Sequence, residues 1–241
     1  MSEGFGFKEK LMHLGSEFPL VDRDLQKRAE WIINETGIEN FLKQNGKYLD
    51  IGTGKGHIIQ RVLEDMTEQG TPLQIYTSID IADKPLRKVQ QREKKRQEGL
   101  ENAVDTKNPI NFVWAEADAL PFKNGSLDGV SFIFALHHMP KDTLSKVLQE
   151  ANRVTKEDGM VFIVEDLVDN EEQRKITKEM DRKLNWESKD EDHSYNSDQG
   201  WRDYFAAEGL EVMDKKFFDS ESGVKHGFYA LNKKKPELES V

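Results

Sequence analysis

Short apolar runs alternate with amphipathic segments along most of the chain. Apolar runs bounded by turn residues predict strands at 48–51, 73–79 and 110–115, a fourth ending at 134, and a closing hairpin of two strands at 210–218 and 224–231. Apolar residues at helical spacing predict helices at 22–35, 57–68 and 197–209. Strands that alternate with helices in this way indicate an α/β fold with a parallel-rich sheet.

The pattern also divides the chain into segments. We expect a helical cap at 1–45, one domain at 46–232 with a polar, helix-prone cap insertion at about 169–200, and a flexible tail at 233–241. The helix at 22–35 belongs to the N-terminal cap, and Gly37 is its predicted stop. We expect this helix to cover an edge of the sheet; a direct role at the functional site is the alternative.

The composition narrows the class of protein. The chain of 241 residues has a net charge of −10, which disfavours broad electrostatic binding of nucleic acid. It has no cysteine, which excludes disulfides, cysteine-ligated metals and a cysteine nucleophile. No apolar run approaches the roughly 18 residues of a membrane helix, and the first residues lack the basic and apolar regions of a signal peptide. A cytoplasmic protein is therefore favoured.

A charged segment at 84–98 is the one stretch that raises the question of RNA. Glutamates interrupt its basic residues, and few aromatic residues interleave to stack on bases. A solvated helix face is therefore favoured over an RNA-binding patch. Nucleic acid is not an expected partner.

The segment at 47–57 joins a predicted strand to a predicted helix through glycines at every second position. Gly52, Gly54 and Gly56 let the backbone reverse direction and approach a ligand closely. The helix N-terminus that follows offers unpaired N–H groups, which indicates a nucleotide-like ligand. The spacing fits neither the dinucleotide fingerprint, because the third glycine comes one residue early, nor a Walker A loop. Asp50, just before the glycines, suits an ammonium group better than a diphosphate. A plain glycine turn in another α/β protein is the alternative.

Two further carboxylates follow predicted strands. Asp80 closes the strand at 73–79 and lies 24 residues beyond Gly56. Nucleotide-binding α/β units place an acid at a similar separation, where it binds ribose hydroxyls. Asp118 comes just past the strand at 110–115 and precedes a short apolar loop. Its carboxylate can accept a hydrogen bond from an exocyclic amine while the loop packs on a purine ring.

These motifs, in this order, resemble the class I S-adenosylmethionine-dependent methyltransferases, and most closely their type 11 small-molecule branch. Asp50 and the three glycines resemble the acidic residue and G-x-G-x-G of the first family motif. The segment 117–130 resembles the family pattern A-x-x-L-P-F-x-x-x-S-x-D-x-V, and three further segments that match its fourth strand, following helix and fifth strand lie at 135–139, 150–154 and 158–163. The pattern departs at 155–159, where only the last glycine is kept and we expect a loop.

The resemblance implies a Rossmann-like α/β fold, with a mostly parallel seven-stranded sheet and helices on both faces, and S-adenosylmethionine as cofactor. It also implies three groups of cofactor-binding residues. Those for the methionine part are Asp50, Gly52, Thr53, Gly54 and Gly56; those for ribose and adenine are Asp80, Ile81, Asp118 and Ala119; those lining the path to the methyl group are Phe134 and Ala135.

A histidine pair, His137 and His138, lies where the predicted fourth strand opens into the site. Methyl transfer from a sulfonium is an in-line displacement, so alignment supplies much of the acceleration, and a base is needed only if the acceptor must lose a proton. A histidine with an ordinary pKa suits that task. We predict that one of the two orients or deprotonates the acceptor; a purely structural pair at the strand end is the alternative.

The cap insertion supplies the predicted substrate-binding residues. It occupies the position where members of the resembling family place a substrate-covering element, so Trp186, His193 and Tyr195 are predicted to face the acceptor. A metal site built from His193 with Asp190 and Asp192 is not favoured, because no second histidine lies at ligand spacing nearby. No metal is expected.

The sequence thus predicts a methyltransferase that acts on a small-molecule acceptor. One alternative is a non-catalytic S-adenosylmethionine-binding partner or regulatory subunit with the same fold. A nucleotide oxidoreductase is disfavoured by the early third glycine. The sequence indicates neither the acceptor atom nor the oligomeric state.

Overall fold

The computed structural model describes residues 19–38, 41, 46–53, 75–80, 87, 91, 111–184 and 193–234. The strands in this part of the chain are β1 (Lys47–Ile51), β2 (Ile75–Asp80), β3 (Asn111–Trp114), β4 (Leu127–Ile133), β5 (Thr155–Leu167), β6 (Leu210–Asp219) and β7 (Lys225–Lys233). The helices in this part are α1 (Pro19–Glu35), α2 (Lys141–Val154), α3 (Glu171–Leu184) and α4 (Asp198–Ala207), with a short 3₁₀ turn at Leu136–His138. The predicted helix at 57–68 lies outside the described residues, as does the segment 84–98 apart from Arg87 and Gln91.

The described strands form one seven-stranded sheet in the order β3-β2-β1-β4-β5-β7-β6. β1 to β5 pair in parallel, whereas β7 runs antiparallel to both β5 and β6. The predicted closing hairpin is therefore confirmed. So is the Rossmann-like, mostly parallel seven-stranded sheet that the family resemblance implied.

Alternate residues of the central strands pack against helices on opposite faces, as the two-residue period of a strand requires. Leu49, Val130 and Ile163 belong to a core that includes buried residues of α2 and α4. Tyr48 and Phe162, each next in sequence to one of these, belong to a second core formed with α1. Helices therefore cover both faces of the sheet, as expected.

The position of α1 corrects one expectation. Its buried residues Trp31, Ile32 and Ile33 pack with Phe162 of β5 and Phe228 of β7, which lie inside the sheet. The helix therefore covers a face of the sheet and not an edge. Three consecutive buried apolar residues need a broad apolar surface, which a sheet face provides.

The segment 155–159, expected to be a loop, is the start of β5. Leu127 of β4 pairs with Thr155, and the register then shifts so that Gly129 pairs with Met160. A Cβ added to Gly159 would lie 2.8 Å from the Asp128 carbonyl oxygen, so this close approach needs glycine.

The last strand also runs further than expected. β7 reaches Lys233, which pairs with Leu210 of β6, so the predicted tail begins at least one residue too early. Ladder pairing along a neighbouring strand holds Lys233 in place, and residues 235–241 lie outside the described residues. In the part of the chain that the structure describes, no helix is both long and apolar enough to cross a membrane.

The strand order determines where a ligand fits. From β1 the sheet grows outward through β2 to β3, and the chain then returns to add β4 on the other side of β1. In doubly wound sheets, ligands bind outside the carboxyl ends of the strands at such a switch point. The carboxyl ends of β1, β2, β3 and β4 therefore lie along one edge of the sheet, beside the switch point between β1 and β4.

Candidate active site

Asp50 is the buried carboxylate near the end of β1. Ser131 of β4, its register partner, donates its hydroxyl hydrogen to Oδ1 at 2.6 Å, and the Thr53 hydroxyl donates to Oδ2. Burial raises the pKa of Asp50 to about 6, although both hydrogen bonds act against this rise, and the nearby charge of Asp80 adds to it. A cation brought against this carboxylate is therefore favoured, because it offsets the loss of solvation.

The glycine turn leaves the sheet at Gly52, which has φ +75°. A Cβ at this position would lie 2.6 Å from the Cβ of Ala135, so the segments after β1 and β4 approach each other too closely for any side chain. The amides of Gly52 and Thr53 donate to the Ile79 carbonyl at 3.0 and 3.3 Å, which holds the turn beside the end of β2. Glycine at this position thus lets the turns after β1 and β4 pack against each other beside the end of β2. Gly54 and Gly56 lie outside the described residues.

The two other acids lie at the same edge of the sheet. Asp80 is buried at the end of β2, close enough to Asp50 for its charge to affect the pKa of that group. Asp118 is half-buried beyond β3, and Ala119 is exposed. Because β3, β2 and β1 are parallel neighbours, the three acids follow adjacent strand ends in the order in which the sequence lists them. Ile81 lies outside the described residues.

The loop that follows Asp118 is held by α2. Arg153 donates to the carbonyls of Leu120 and Phe122 at 3.0 and 2.8 Å and to Asn124 Oδ1 at 2.7 Å. Glu150 accepts from the Leu120 amide at 2.7 Å and from Arg153 at 2.6 Å. These contacts fix the position of the loop expected to pack on adenine.

Glu165 of β5 organises the turn that follows β4. The carboxylate is fully buried, and its Oε1 accepts from the amides of Ala135 and Leu136 at 3.0 and 2.6 Å. Its Oε2 lies 2.6 Å from His137 Nδ1. One carboxylate therefore fixes the backbone that abuts Gly52 and the ring of the first histidine.

On the other face of the sheet, a residue of α1 contacts the start of the turn after β4. Phe134 has φ +52°, and its ring lies under the Arg28 guanidinium, whose carbon is 5.2 Å from the ring centroid. Arg28 Nε donates to Asp24 at 2.7 Å, and Nη1 lies 3.9 Å from Asp166. Asp166 in turn lies 2.7 Å from His226 Nδ1. Hydrogen bonding by His226 and the charges of His226 and Arg28 hold the pKa of Asp166 well below its ordinary value despite burial.

Three histidines meet on the side of the turn that faces the cap insertion. The rings of His137 and His138 are 4.1 Å apart, and His193 lies 5.9 and 4.8 Å from them, measured between centroids. Tyr195 stacks on His137 at 5.1 Å and lies 2.9 Å from His193 Nδ1 through its hydroxyl. Asp181 of α3 joins the group, with Oδ1 3.6 Å from His138 Nε2 and Oδ2 3.2 Å from His193 Nδ1. We call these five residues the histidine cluster.

The two adjacent histidines have opposite electrostatic environments. Burial acts to lower the pKa of His137, but the charge and hydrogen bond of Glu165 outweigh it and raise that pKa to about 9. Burial and the neighbouring charge of His137 lower the pKa of His138 to about 3. His138 is also the more accessible of the two, because its side chain is 31% exposed while that of His137 is 2% exposed.

Ser194 bonds the segment 193–196 to the turn after β4. Its backbone amide donates to the His137 carbonyl at 2.7 Å, and its side-chain hydroxyl donates to the Met139 carbonyl at 2.8 Å. His193 and Tyr195 are thereby brought to the site, and both are buried. Trp186, Asp190 and Asp192 lie outside the described residues.

Several residues at this site were not predicted from the sequence. The clearest are Glu165, Asp181, Ser131, Arg153 and Arg28. Glu165 and Asp166 do carry a signal, because two adjacent acids interrupt an otherwise apolar strand. Asp181, Arg153 and Arg28 lie on helices rich in charged residues, and Ser131 is a small residue within an apolar strand, so the local pattern does not mark them.

A doubly wound sheet with a glycine turn at its switch point and a buried acid beside it agrees with the class I methyltransferase fold that the sequence motifs implied. Comparison with known proteins agrees. A family profile described as a methyltransferase domain matches residues 49–163.

Individual relatives match more of the chain. An uncharacterised protein of Methanocaldococcus jannaschii is 31% identical over 171 residues, which cover 69% of this chain and 55% of that protein. The ubiquinone/menaquinone biosynthesis C-methyltransferase UbiE of Rhizobium meliloti is 28% identical over 182 residues, which cover 68% of this chain and 64% of that protein. The chain thus spans less than two thirds of the length of either relative.

The likeness of fold extends to solved structures. A protein of Pyrococcus horikoshii superposes with a TM-score of 0.63 at 18% identity, over 95% of this chain and 100% of that one. Residues 49–163 thus match a methyltransferase domain, and the chain resembles S-adenosylmethionine-dependent methyltransferases in sequence and in fold. Members of this family use S-adenosylmethionine as methyl donor.

Proposed function

We propose that the protein transfers the methyl group of S-adenosylmethionine to a small-molecule acceptor by in-line displacement. The observation that carries the proposal is the pair of buried acids, Asp50 and Asp80, at adjacent strand ends beside the Gly52 turn, with the histidine cluster on the other side of the turn after β4. When bound, S-adenosylmethionine supplies a methyl group on a positively charged sulfur.

The residues of the crevice fit the parts of this cofactor. Asp50, whose charge is penalised by burial, would hold the ammonium group. Gly52, which packs against Ala135, would hold the glycine turn beside the methionine part. Asp80 would accept from the ribose hydroxyls, and Asp118 would accept from the adenine amine.

The turn after β4 would separate the cofactor from the acceptor. Ala135 abuts Gly52 on the cofactor side, and the histidine cluster follows it directly along the chain. Within the cluster, His138 is exposed enough to touch an acceptor, whereas His193 and Tyr195 are buried and would position their neighbours. The chain's task is alignment and exclusion of water, which suits an in-line displacement.

The acceptor class follows less directly. One curated relative is named as a C-methyltransferase of ubiquinone and menaquinone biosynthesis. We therefore include carbon acceptors of the quinol type in the assay, beside oxygen and nitrogen acceptors.

Binding and transfer are tested separately. Calorimetry with S-adenosylmethionine, S-adenosylhomocysteine and NAD should show binding of the first two alone, and Asp80→Asn should weaken it. Asp128→Asn is the matched control, because Asp128 pairs with Lys156 at the opposite end of β4. A preference for NAD, or equal binding by Asp80→Asn and the wild type, would contradict the cofactor assignment.

Transfer is tested with methyl-labelled cofactor and a small-molecule extract, followed by mass spectrometry. We expect a labelled product that disappears with Asp80→Asn and persists with Asp128→Asn. Cofactor binding without any labelled product would instead support the alternative, a non-catalytic binding protein with a methyltransferase fold.

A further inference from the structure

The histidine cluster brings together groups that are typical metal ligands from segments far apart in the sequence. His137 and His138 come from the turn after β4, and Asp181 comes from α3. One potential ligand atom from each of these three lies within 4.8 Å of the other two. Two ligands at about 2.0–2.2 Å from a tetrahedral zinc ion are about 3.3–3.6 Å apart, so shifts of up to about 1.5 Å in ligand-atom separation would close the set.

His137 is already oriented as a metal ligand would be. Its Nδ1 lies 2.6 Å from the Glu165 carboxylate, which keeps a hydrogen on Nδ1, so Nε2 is the nitrogen that would give up its proton to a metal ion. That Nε2 is buried and has no hydrogen-bond partner among the described residues. Metal-binding histidines usually donate their other ring N–H to a carboxylate in this way. A buried nitrogen left without a partner needs such an explanation.

Asp181 is held in a matching way. Its Oδ1 lies 3.6 Å from His138 Nε2, too far for a good hydrogen bond but close to the separation of about 3.3 Å between two ligands of a tetrahedral ion. Its other oxygen, Oδ2, lies 3.2 Å from His193 Nδ1, and this contact orients the carboxylate. Two imidazole nitrogens and one carboxylate oxygen form a donor set that suits zinc and its neighbours in the first transition row.

We propose that His137, His138 and Asp181 bind one divalent transition-metal ion, of the zinc or cobalt type, with Glu165 and His193 supporting the ligands. Three protein ligands leave a coordination position open. The ion would link α3 to the turn after β4, next to the acceptor side of the crevice. The proposal shares His138 with the proposed function, but metal binding is measured without cofactor or acceptor, so failure of one proposal is distinguishable from failure of the other.

The test uses the full chain, stripped with a chelator and titrated with Zn²⁺ in competition with a coloured chelator, and with Co²⁺ followed by visible absorption. We expect one ion per chain and a Co²⁺ spectrum of nitrogen and oxygen ligation. His138→Gln and Asp181→Asn should each reduce Zn²⁺ affinity by about 100-fold or more, and Glu165→Gln by about 10- to 100-fold.

His226→Gln is the matched control. His226 is also buried beside a carboxylate, at 2.7 Å from Asp166, and its Nε2 also lacks a partner among the described residues, yet it is not part of the three-ligand group. Its affinity for Zn²⁺ should equal that of the wild type. His138→Gln, with the ligand that is least buried, keeps the test valid if Asp181→Asn fails to fold. Absence of stoichiometric binding, or binding that survives both His138→Gln and Asp181→Asn, would overturn the proposal.

Discussion

Asp50 combines two features that act in opposite directions on the free molecule and on its complex. Burial penalises its charge and raises its pKa to about 6, while a bound ammonium group would favour that charge. Substitution by the neutral asparagine should therefore remove the cost of burying a charge and, at the same time, the proposed contact to the cofactor.

We expect Asp50→Asn to weaken S-adenosylhomocysteine binding by about 10- to 100-fold, because a hydrogen bond to a charged group contributes about 1.5–3 kcal/mol. Calorimetry at neutral pH measures this change. Asp128→Asn is the control, because its carboxylate binds Lys156 away from the crevice. Equal loss of affinity in both variants would show that Asp50 has no specific role.

The raised pKa of Asp50 also predicts a dependence on pH. Cofactor affinity should fall by about tenfold for each unit of pH below about 6, because the carboxylate takes up a proton and no longer attracts the ammonium group. Stability of the free protein should change in the opposite sense. The folded pKa lies above the unfolded one, so ionisation of Asp50 removes up to about 3 kcal/mol as pH rises from about 4 to 6.

The difference between wild type and Asp50→Asn isolates both effects from the other titrating groups. Calorimetry gives the affinity and urea unfolding gives the stability, each measured across the same range of pH. A difference in affinity that stays constant with pH would refute the linkage.

At the scale of elements, two helices carry arginines that support the crevice without lining it. Arg153 of α2 binds the loop between β3 and β4, and Arg28 of α1 lies under Phe134 at the start of the turn after β4. The two helices pack on opposite faces of the sheet. The crevice is thus braced from both sides.

Arg153→Met should release the loop after Asp118. We expect a loss of about 1–3 kcal/mol in unfolding free energy, because several carbonyl and amide oxygens lose a charged donor. Affinity for S-adenosylhomocysteine should fall by about three- to tenfold, since the loop then has to be ordered on binding. Arg202→Met on α4 is the control, with a similarly exposed side chain paired to Asp198. Unchanged affinity in Arg153→Met would dissociate this loop from the cofactor.

Arg28→Met should destabilise the protein by about 3–5 kcal/mol, because it leaves the buried carboxylates of Asp24 and Asp166 without their cation. Arg23→Met, on the same helix, removes only a solvent-exposed pair with Glu221 and should change stability by less than about 1 kcal/mol. Urea unfolding of the two variants measures the contrast. Similar values for both would mean that the buried network contributes no more than a surface pair.

At the scale of the whole molecule, the strands and the two-faced core follow from the pattern of apolar residues in the sequence. Apolar runs predicted the strands, and alternate residues such as Leu49 and Tyr48 do pack on opposite faces. Asp50 and Asp80 do lie at the ends of adjacent strands, as the sequence predicted, while their role in binding a cofactor stays a prediction.

The composition of the histidine cluster was harder to predict from the sequence. In the sequence, the histidines His137 and His138 lie more than 50 residues away from His193. Folding brings the three rings together. Arg28 and Asp181 lie on amphipathic helices among many charged residues, so no local pattern distinguishes them. Contacts between distant segments depend on how helices dock, which periodicity does not determine.

A crevice formed by four strand ends should couple ligand binding to the stability of the entire domain. At 100 times its dissociation constant a ligand adds about 2.7 kcal/mol, which for a chain of this size corresponds to about 5–10 °C in melting temperature. We expect S-adenosylmethionine and S-adenosylhomocysteine to produce this shift in differential scanning fluorimetry. NAD serves as the control and should produce none; a shift with NAD alone would reject the assigned cofactor.

Two neighbouring acids in β5 give the fold one last property. Glu165 accepts a hydrogen bond from the turn after β4 on one face of the sheet, and Asp166 contacts Arg28 and His226 on the other face. Because side chains alternate along a strand, a slip of β5 by a single position would send each acid to the wrong layer. Inserting or deleting one residue in the bulge at 155–159 should therefore be tolerated far less well than most substitutions there. Engineering for new acceptors should leave β5 unchanged and vary the cap insertion.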